Sequence, residues 1–376
     1  MQPKIDFRRL AVPGVQALQP YQPGKPIEEL ERELGLSQIL KLASNENPLG
    51  SSPKALAAMQ TALDSLALYP DGSGYRLKAA LAEKFGLRSE QITLGNGSND
   101  ILDLIARAYL APGRNGVFAQ HAFAIYAIAI QAAGAELRQA AALPANHSDM
   151  PYGHDLTTLL AQIDANTRVV FIANPNNPTG TWLTQSALYD FLQQVPAGVV
   201  VVIDEAYTEY VQAEDFPNAL NWLDEFPNLI VTRTFSKIYG LAGLRVGYAV
   251  SSPAIADMLN RVRHPFNVNS LSLVAAEAAL DDEDFLQRSV STNTAGLQQW
   301  LNACEINGWA SIPSVANFIT VDTERDAAQV YVDLLQEGVI VRPIGGYGLP
   351  QHLRISIGTD AENARCIQAL HKVLQD

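Results

Sequence analysis

Charge and cysteine are both scarce in this 376-residue chain. Charged residues make up 17% of it and hydrophobic residues 48%. That balance excludes a disordered polypeptide and suits a globular one with a large core. Two cysteines, Cys304 and Cys366, lack metal-like spacing and cannot form a disulfide frame; they point to reduced thiols in a cytoplasmic protein. Six scattered histidines make no ligand cluster, so no metal is expected. Basic residues are outnumbered, and a net charge of −13 argues against a nucleic-acid partner. Small anions would need local arginines. Long apolar runs are missing too. The N-terminal "MQPKIDFRRLAVPG" has no signal core, and "AFAIYAIAIQAAGA" is broken by Gln131 and ends at Gly134. It is too short to span a bilayer and reads as a buried helix, so no membrane partner is expected.

What is present is alternation. Short apolar runs stand at 91–95, 115–120, 168–175, 198–207, 228–235 and 244–250, with helical stretches such as "NDILDLIARAYL" between them. In that helix Ile101, Leu102, Ile105 and Ala108 recur at helical spacing. Near-continuous valine and isoleucine runs mark strands buried on both faces, as in a mostly parallel sheet covered by helices. The fold class is therefore α/β. Residues 1–49 read as an N-terminal arm with small-domain elements, 50–281 as the large α/β domain, and 282–376 as a smaller α+β domain.

Ligands of such sheets sit at the strand C-termini, and the unusual polar residues fall there. "LGNGSND" (94–100) is strand, glycine turn and helix start. Gly97, Ser98 and Asn99 read either as an anion cradle at a helix N-terminus or as a plain cap. "IANPNNPTG" sets Asn177 in a turn after a strand, a turn residue or a ligand. In "VVVIDEAYTEY" Asp204 ends a β-branched run, and a buried carboxylate there needs a partner; Tyr207 follows by three. "TRTFSKIYGLAGLRVGY" (232–248) places Thr234, Ser236, Lys237 and Arg245 past another strand. A lysine at the mouth of an apolar sheet has a lowered pKa and serves as a nucleophilic amine. Together these are counterparts for a phosphate, a phenolic oxygen, a ring nitrogen and an aldehyde, the functional groups of pyridoxal 5′-phosphate. A dinucleotide-binding turn is disfavoured, since "GNGSND" breaks the G-x-G-x-x-G pattern at its last position.

The ordered set "LQPYQPGKP", "LKLASNENPLG", "NPNNPTG", "DEAYTEY", "TFSKIYGLAGLRVGY" and "LRISIGT" resembles the fold-type I pyridoxal-phosphate aminotransferases, class II, over nearly the whole chain. More narrowly it is similar to the histidinol-phosphate aminotransferases. The resemblance implies that Lys237 carries the cofactor aldehyde and shuttles the substrate proton. It implies that Asp204 pairs with the ring nitrogen and that Asn177 and Tyr207 bond the phenolic oxygen. Gly97, Ser98, Asn99, Thr234, Ser236 and Arg245 would surround the phosphate, and Phe123 would stack on the ring where many relatives have tyrosine. Tyr69 would reach across a homodimer interface to the neighbouring phosphate. Arg354, Arg342, Tyr21 and Asn45 would bind substrate: an amino donor such as histidinol phosphate and a 2-oxo acid such as 2-oxoglutarate. Phe266 stands where some relatives place a tyrosine that touches the substrate phosphate, which leaves aromatic amino acids open as alternative substrates.

Overall fold

Valine and isoleucine runs become the inner strands of a seven-stranded sheet in the computed structural model, which describes residues 5–20, 24–36 and 38–375. The strands in chain order are β1 (Leu40–Lys41), β2 (Ile92–Gly95), β3 (Asn115–Ala119), β4 (Glu136–Ala140), β5 (Thr167–Ala173), β6 (Val200–Asp204), β7 (Leu229–Thr234), β8 (Gly247–Ser251), β9 (Ser311–Ile312), β10 (Phe318–Asp322), β11 (Val339–Ile340), β12 (Arg342–Pro343) and β13 (His352–Ser356). The large sheet has the order β2-β8-β7-β6-β5-β3-β4. Its pairs are parallel except β2 with β8 and β7 with β8, so β8 runs against its neighbours.

Alternate side chains of β6 enter two separate cores, as the pleat requires. Val201 and Ile203 pack with Leu188 and Phe191 on one face. Val200 and Val202 pack with Ile105 and Tyr126 on the other. Each such burial contributes about 1.5–3 kcal/mol, so the middle of the sheet is rigid and its polar rim is well supported. The helix Ser98–Tyr109 buries Ile101, Leu102, Leu104, Ile105 and Ala106. The apolar stretch after Phe123 forms the helix Ala124–Ala132, but only Tyr126, Ala129 and Ile130 are buried. The expectation of a buried helix holds for one face and not for the other. That other face, which includes Ile125 and Ile128, is half-buried apart from the exposed Ala132.

A second, antiparallel sheet of order β12-β13-β10-β9 forms the smaller C-terminal part with the long helix Glu283–Asn307 and the helices Ala327–Gln336 and Asp360–Gln375. The short strand β1 pairs with β11 in parallel. Beyond it the Leu42 amide donates to Ile340 O at 2.8 Å, and the Ser356 amide donates to Leu42 O at 2.9 Å. Residues 40–45 are thus stitched to the C-terminal strands and led towards the rim of the large sheet. Among the described residues no helix is long and apolar enough to cross a membrane.

Candidate active site

A cavity of about 260 Å³ opens at the C-terminal rim of the large sheet. The ends of β2, β3, β5, β6 and β7 bring Ser98 and Asn99, Phe123, Asn177, Asp204 and Tyr207, and Thr234, Ser236 and Lys237 to its wall. Arg245 joins them because β8 is reversed: the residues preceding that strand lie at the rim where its neighbours end. Asn45, Arg342 and Arg354 line the cavity from the C-terminal side.

Lys237 is enclosed, and its Nζ donates to Ser44 O at 3.0 Å. Burial pulls its pKa down from 10.5 to about 7, helped by the positive charges of Arg354 and Arg245 against the opposing Glu46 and Asp204. Asp204 accepts from Tyr126 Oη at 2.8 Å and from Thr232 Oγ1 at 2.9 Å. Burial raises its pKa, and those two donors work against the rise. Tyr207 is pushed up to about 12 by burial, with Arg354 and Asn45 pulling the other way. Asn45 Nδ2 donates to Tyr207 Oη at 2.9 Å. The Arg354 fork donates Nη1 to Asn177 Oδ1 and Nη2 to Ala43 O, both at 2.6 Å.

The opposite corner is an anion cradle. Arg245 Nη1 donates to Ser236 Oγ at 3.2 Å. Gly97 precedes the helix Ser98–Tyr109 with φ +83°, a conformation that favours glycine. A Cβ there would stand 2.5 Å from Arg245 Nη2, so glycine lets the guanidinium lie against the helix N-terminus. Free amides, a helix dipole and a guanidinium then converge.

The sequence matches the family model for aminotransferase class I and II over residues 37–370. Histidinol-phosphate aminotransferase 2 of Pseudomonas fluorescens is 60% identical over 371 residues, covering 98% of each chain. The chain belongs to the class I and II aminotransferases. A Methylococcus capsulatus protein, also histidinol-phosphate aminotransferase 2, is 58% identical over 98% of this chain and 100% of its own. The crystal structure of histidinol-phosphate aminotransferase from Sinorhizobium meliloti in complex with pyridoxal-5′-phosphate is 30% identical with a TM-score of 0.87, covering 97% of both chains. A Thermus thermophilus aspartate aminotransferase shares the fold, at TM-score 0.84 and 20% identity over 96% of this chain and 99% of its own.

Most of the residues singled out from the sequence of this aminotransferase meet in the one cavity. Tyr69 does not: it is 83% exposed and stacks on Phe266, ring centroids 4.8 Å apart. Tyr21 lies outside the described residues. Sequence reasoning missed Ser44, Glu46 and Tyr347, which also line the cavity, and Tyr126 and Thr232, which hold Asp204. The Ser44 contact is made by backbone and has no side-chain signal. Tyr126 had one: a phenol in an otherwise apolar helix needs a buried partner.

Proposed function

We propose that this aminotransferase moves the amino group between L-histidinol phosphate and 2-oxoglutarate, giving imidazole acetol phosphate and glutamate in histidine biosynthesis. The observation that carries the substrate assignment is a pair of arginines. Arg342 and Arg354 stand directly opposite each other on antiparallel β12 and β13 and line the same cavity. Like charges facing across a ladder are destabilising by themselves. A distal phosphate or carboxylate between two guanidinium forks reverses the sign of that interaction. The name carried by relatives 58–60% identical over 98% of the chain agrees with it.

Pyridoxal 5′-phosphate fits the residues present. Its phosphate matches the cradle of Ser98, Asn99, Thr234, Ser236 and Arg245, where the positive φ of Gly97 and its close approach to the Arg245 guanidinium favour glycine. Asp204 matches a protonated ring nitrogen, Asn177 and Tyr207 a phenolic oxygen, and Phe123 the face of the ring. When bound, the cofactor supplies an aldehyde that takes up amino groups and a ring that accepts electrons from the substrate carbon. Lys237 Nζ, neutral near pH 7, takes the proton from that carbon and returns it to the acceptor. Asp204 keeps a negative charge at the floor of the cavity. Arg354, fixed by Asn177 and the Ala43 carbonyl, orients the substrate's distal anion, and Arg342 completes the grip when that anion is a phosphate.

The enzyme is also proposed to work as a cytoplasmic homodimer, with the arm and residues 282–376 forming the small domain beside the large one of 50–281. Leu66, Leu68, Tyr69, Tyr75 and Phe266 are exposed, and Tyr69 stacks on Phe266; exposed apolar side chains of this kind suit contact with a second copy. Sedimentation as a monomer at micromolar concentration would remove the dimer. The substrate test is a coupled assay of glutamate production from histidinol phosphate and 2-oxoglutarate. A specificity constant tenfold higher for phenylalanine or tyrosine would overturn the assignment in favour of an aromatic aminotransferase.

A further inference from the structure

Tyr126 is completely buried, and its ring is clamped on two sides. It stacks on Phe171 of β5 with centroids 5.0 Å apart and planes 9° from parallel. It meets the Phe123 ring edge-on at 5.8 Å and 89°. Phe123 is on the cavity wall and Tyr126 is not. The Tyr126 hydroxyl donates to Asp204 Oδ2 at 2.8 Å, while Thr232 donates to Oδ1 at 2.9 Å. Packing between Phe171 and Phe123 would be met by phenylalanine; only the contact to Asp204 uses the hydroxyl.

We propose that Tyr126 is a positioning residue of the transamination, whose hydroxyl fixes the aim and charge of Asp204 and whose ring backs Phe123. One side chain, remote from substrate, then supports both the contact at the cofactor's ring nitrogen and the contact on its face. The inference rests on the reading of Asp204 as partner of that nitrogen. Burial drives the Tyr126 phenol far up, so it stays protonated and acts only as a donor. The charged groups acting on Asp204 are Glu205, which raises its pKa, and Lys237, which lowers it. Two neutral donors add no charge of their own, so the carboxylate's charge remains for a protonated ring. Removing one donor makes Asp204 more basic. The proton shared with the ring nitrogen moves towards Asp204, and the ring draws electrons less well.

The test is Tyr126→Phe in the purified holoenzyme, beside Asp204→Asn. For Tyr126→Phe a roughly tenfold fall in kcat is expected with KM within about twofold, the size of one hydrogen bond to a charged group. The pH midpoint of the cofactor's visible absorption should move upward. Asp204→Asn should lose more activity and release the cofactor on dilution. Unchanged kcat and midpoint in Tyr126→Phe, with Asp204→Asn impaired, would overturn the positioning role and leave Asp204's role standing. Wild-type kcat and spectrum in Asp204→Asn would overturn that underlying reading instead. If Tyr126→Phe loses stability, Phe171→Leu disturbs the same stack and leaves the hydroxyl in place. A spectral shift confined to Tyr126→Phe supports the proposal, and an equal shift in Phe171→Leu overturns it.

Discussion

Asp204 and Glu205 stand side by side at the end of β6, and both are buried. The sheet alternates its faces, so they look in opposite directions. The adjacent strand answers each with a different partner: Thr232 donates a hydroxyl to Asp204, and Arg233 donates Nε and Nη2 to Glu205 at 2.9 and 2.7 Å. The Ala219 amide also donates to Glu205. Burial works against the Arg233 charge, but Glu205, with Tyr248 and Glu209 beside it, more than offsets that and raises the guanidinium pKa. One carboxylate is neutralised by a fixed cation and belongs to the scaffold. The other is held by hydroxyls, which orient it and leave its charge unmet. That difference, a residue apart, distinguishes the structural acid from the one proposed to serve the cofactor better than burial does.

The largest expected effect tests the functional face. Lys237→Ala should lower turnover by at least about 10³-fold, since nucleophile and proton carrier are lost together. It should also abolish the cofactor's visible absorption; turnover above a tenth of wild type would break the reading of the rim. The sharpest comparison is Asp204→Asn against Glu205→Gln. The first should cut kcat by about 100-fold with little change in urea unfolding, the order of one lost charge contact in the transition state. The second leaves Arg233 buried without its counter-charge and should cost on the order of 3–5 kcal/mol of stability, with kcat per folded molecule nearly kept. A reversed pattern would dissolve the distinction.

A smaller effect is read by pH. In the proposed role Lys237 acts as a base only when its amine is free and neutral, as in the substrate-bound enzyme, so kcat should rise with pH and level off above about pH 7. The same shift has a stability counterpart. Between about pH 7 and 10.5 the unfolded chain holds a proton on Lys237 that the folded chain lacks. Cofactor-stripped protein should therefore gain stability as pH rises through that window, measurable by urea titration. A flat profile in both measurements would put the lysine outside a desolvated site. The smallest expected effect is Arg342→Gln, with KM for histidinol phosphate up roughly tenfold and KM for glutamate changed less.

The sheet's inner strands were legible because Val200–Ile203 and Leu229–Val231 are unbroken apolar runs. Strand β4 was not. "ELRQA" lies at the sheet edge with Glu136 and Gln139 exposed, and it carries no apolar signal. Nor does sequence reveal the reversal of β8, because strand direction leaves no local pattern. Within the site, Lys237, Asp204, Asn177 and Arg354 were readable from their order along the chain. The supports were harder: the Ser44 carbonyl that receives Lys237 lies 193 residues away, and Thr232 reads as one more strand residue. Tyr69 was legible as a position of interest, but its stacking on Phe266 was not, since 197 residues separate the two in the chain.

The reversal of β8 makes Lys237 and Arg245 two points on one returning loop, from the end of β7 to the start of β8. In an all-parallel sheet those two positions would need a helical crossover between them and would face opposite edges of the molecule. Here a dozen residues carry both, and lengthening that loop would displace amine and guanidinium together. New chain ends could be opened at the outer turns of the sheet, but a break in this hairpin would uncouple the amine and the guanidinium that the proposed chemistry needs in fixed relation.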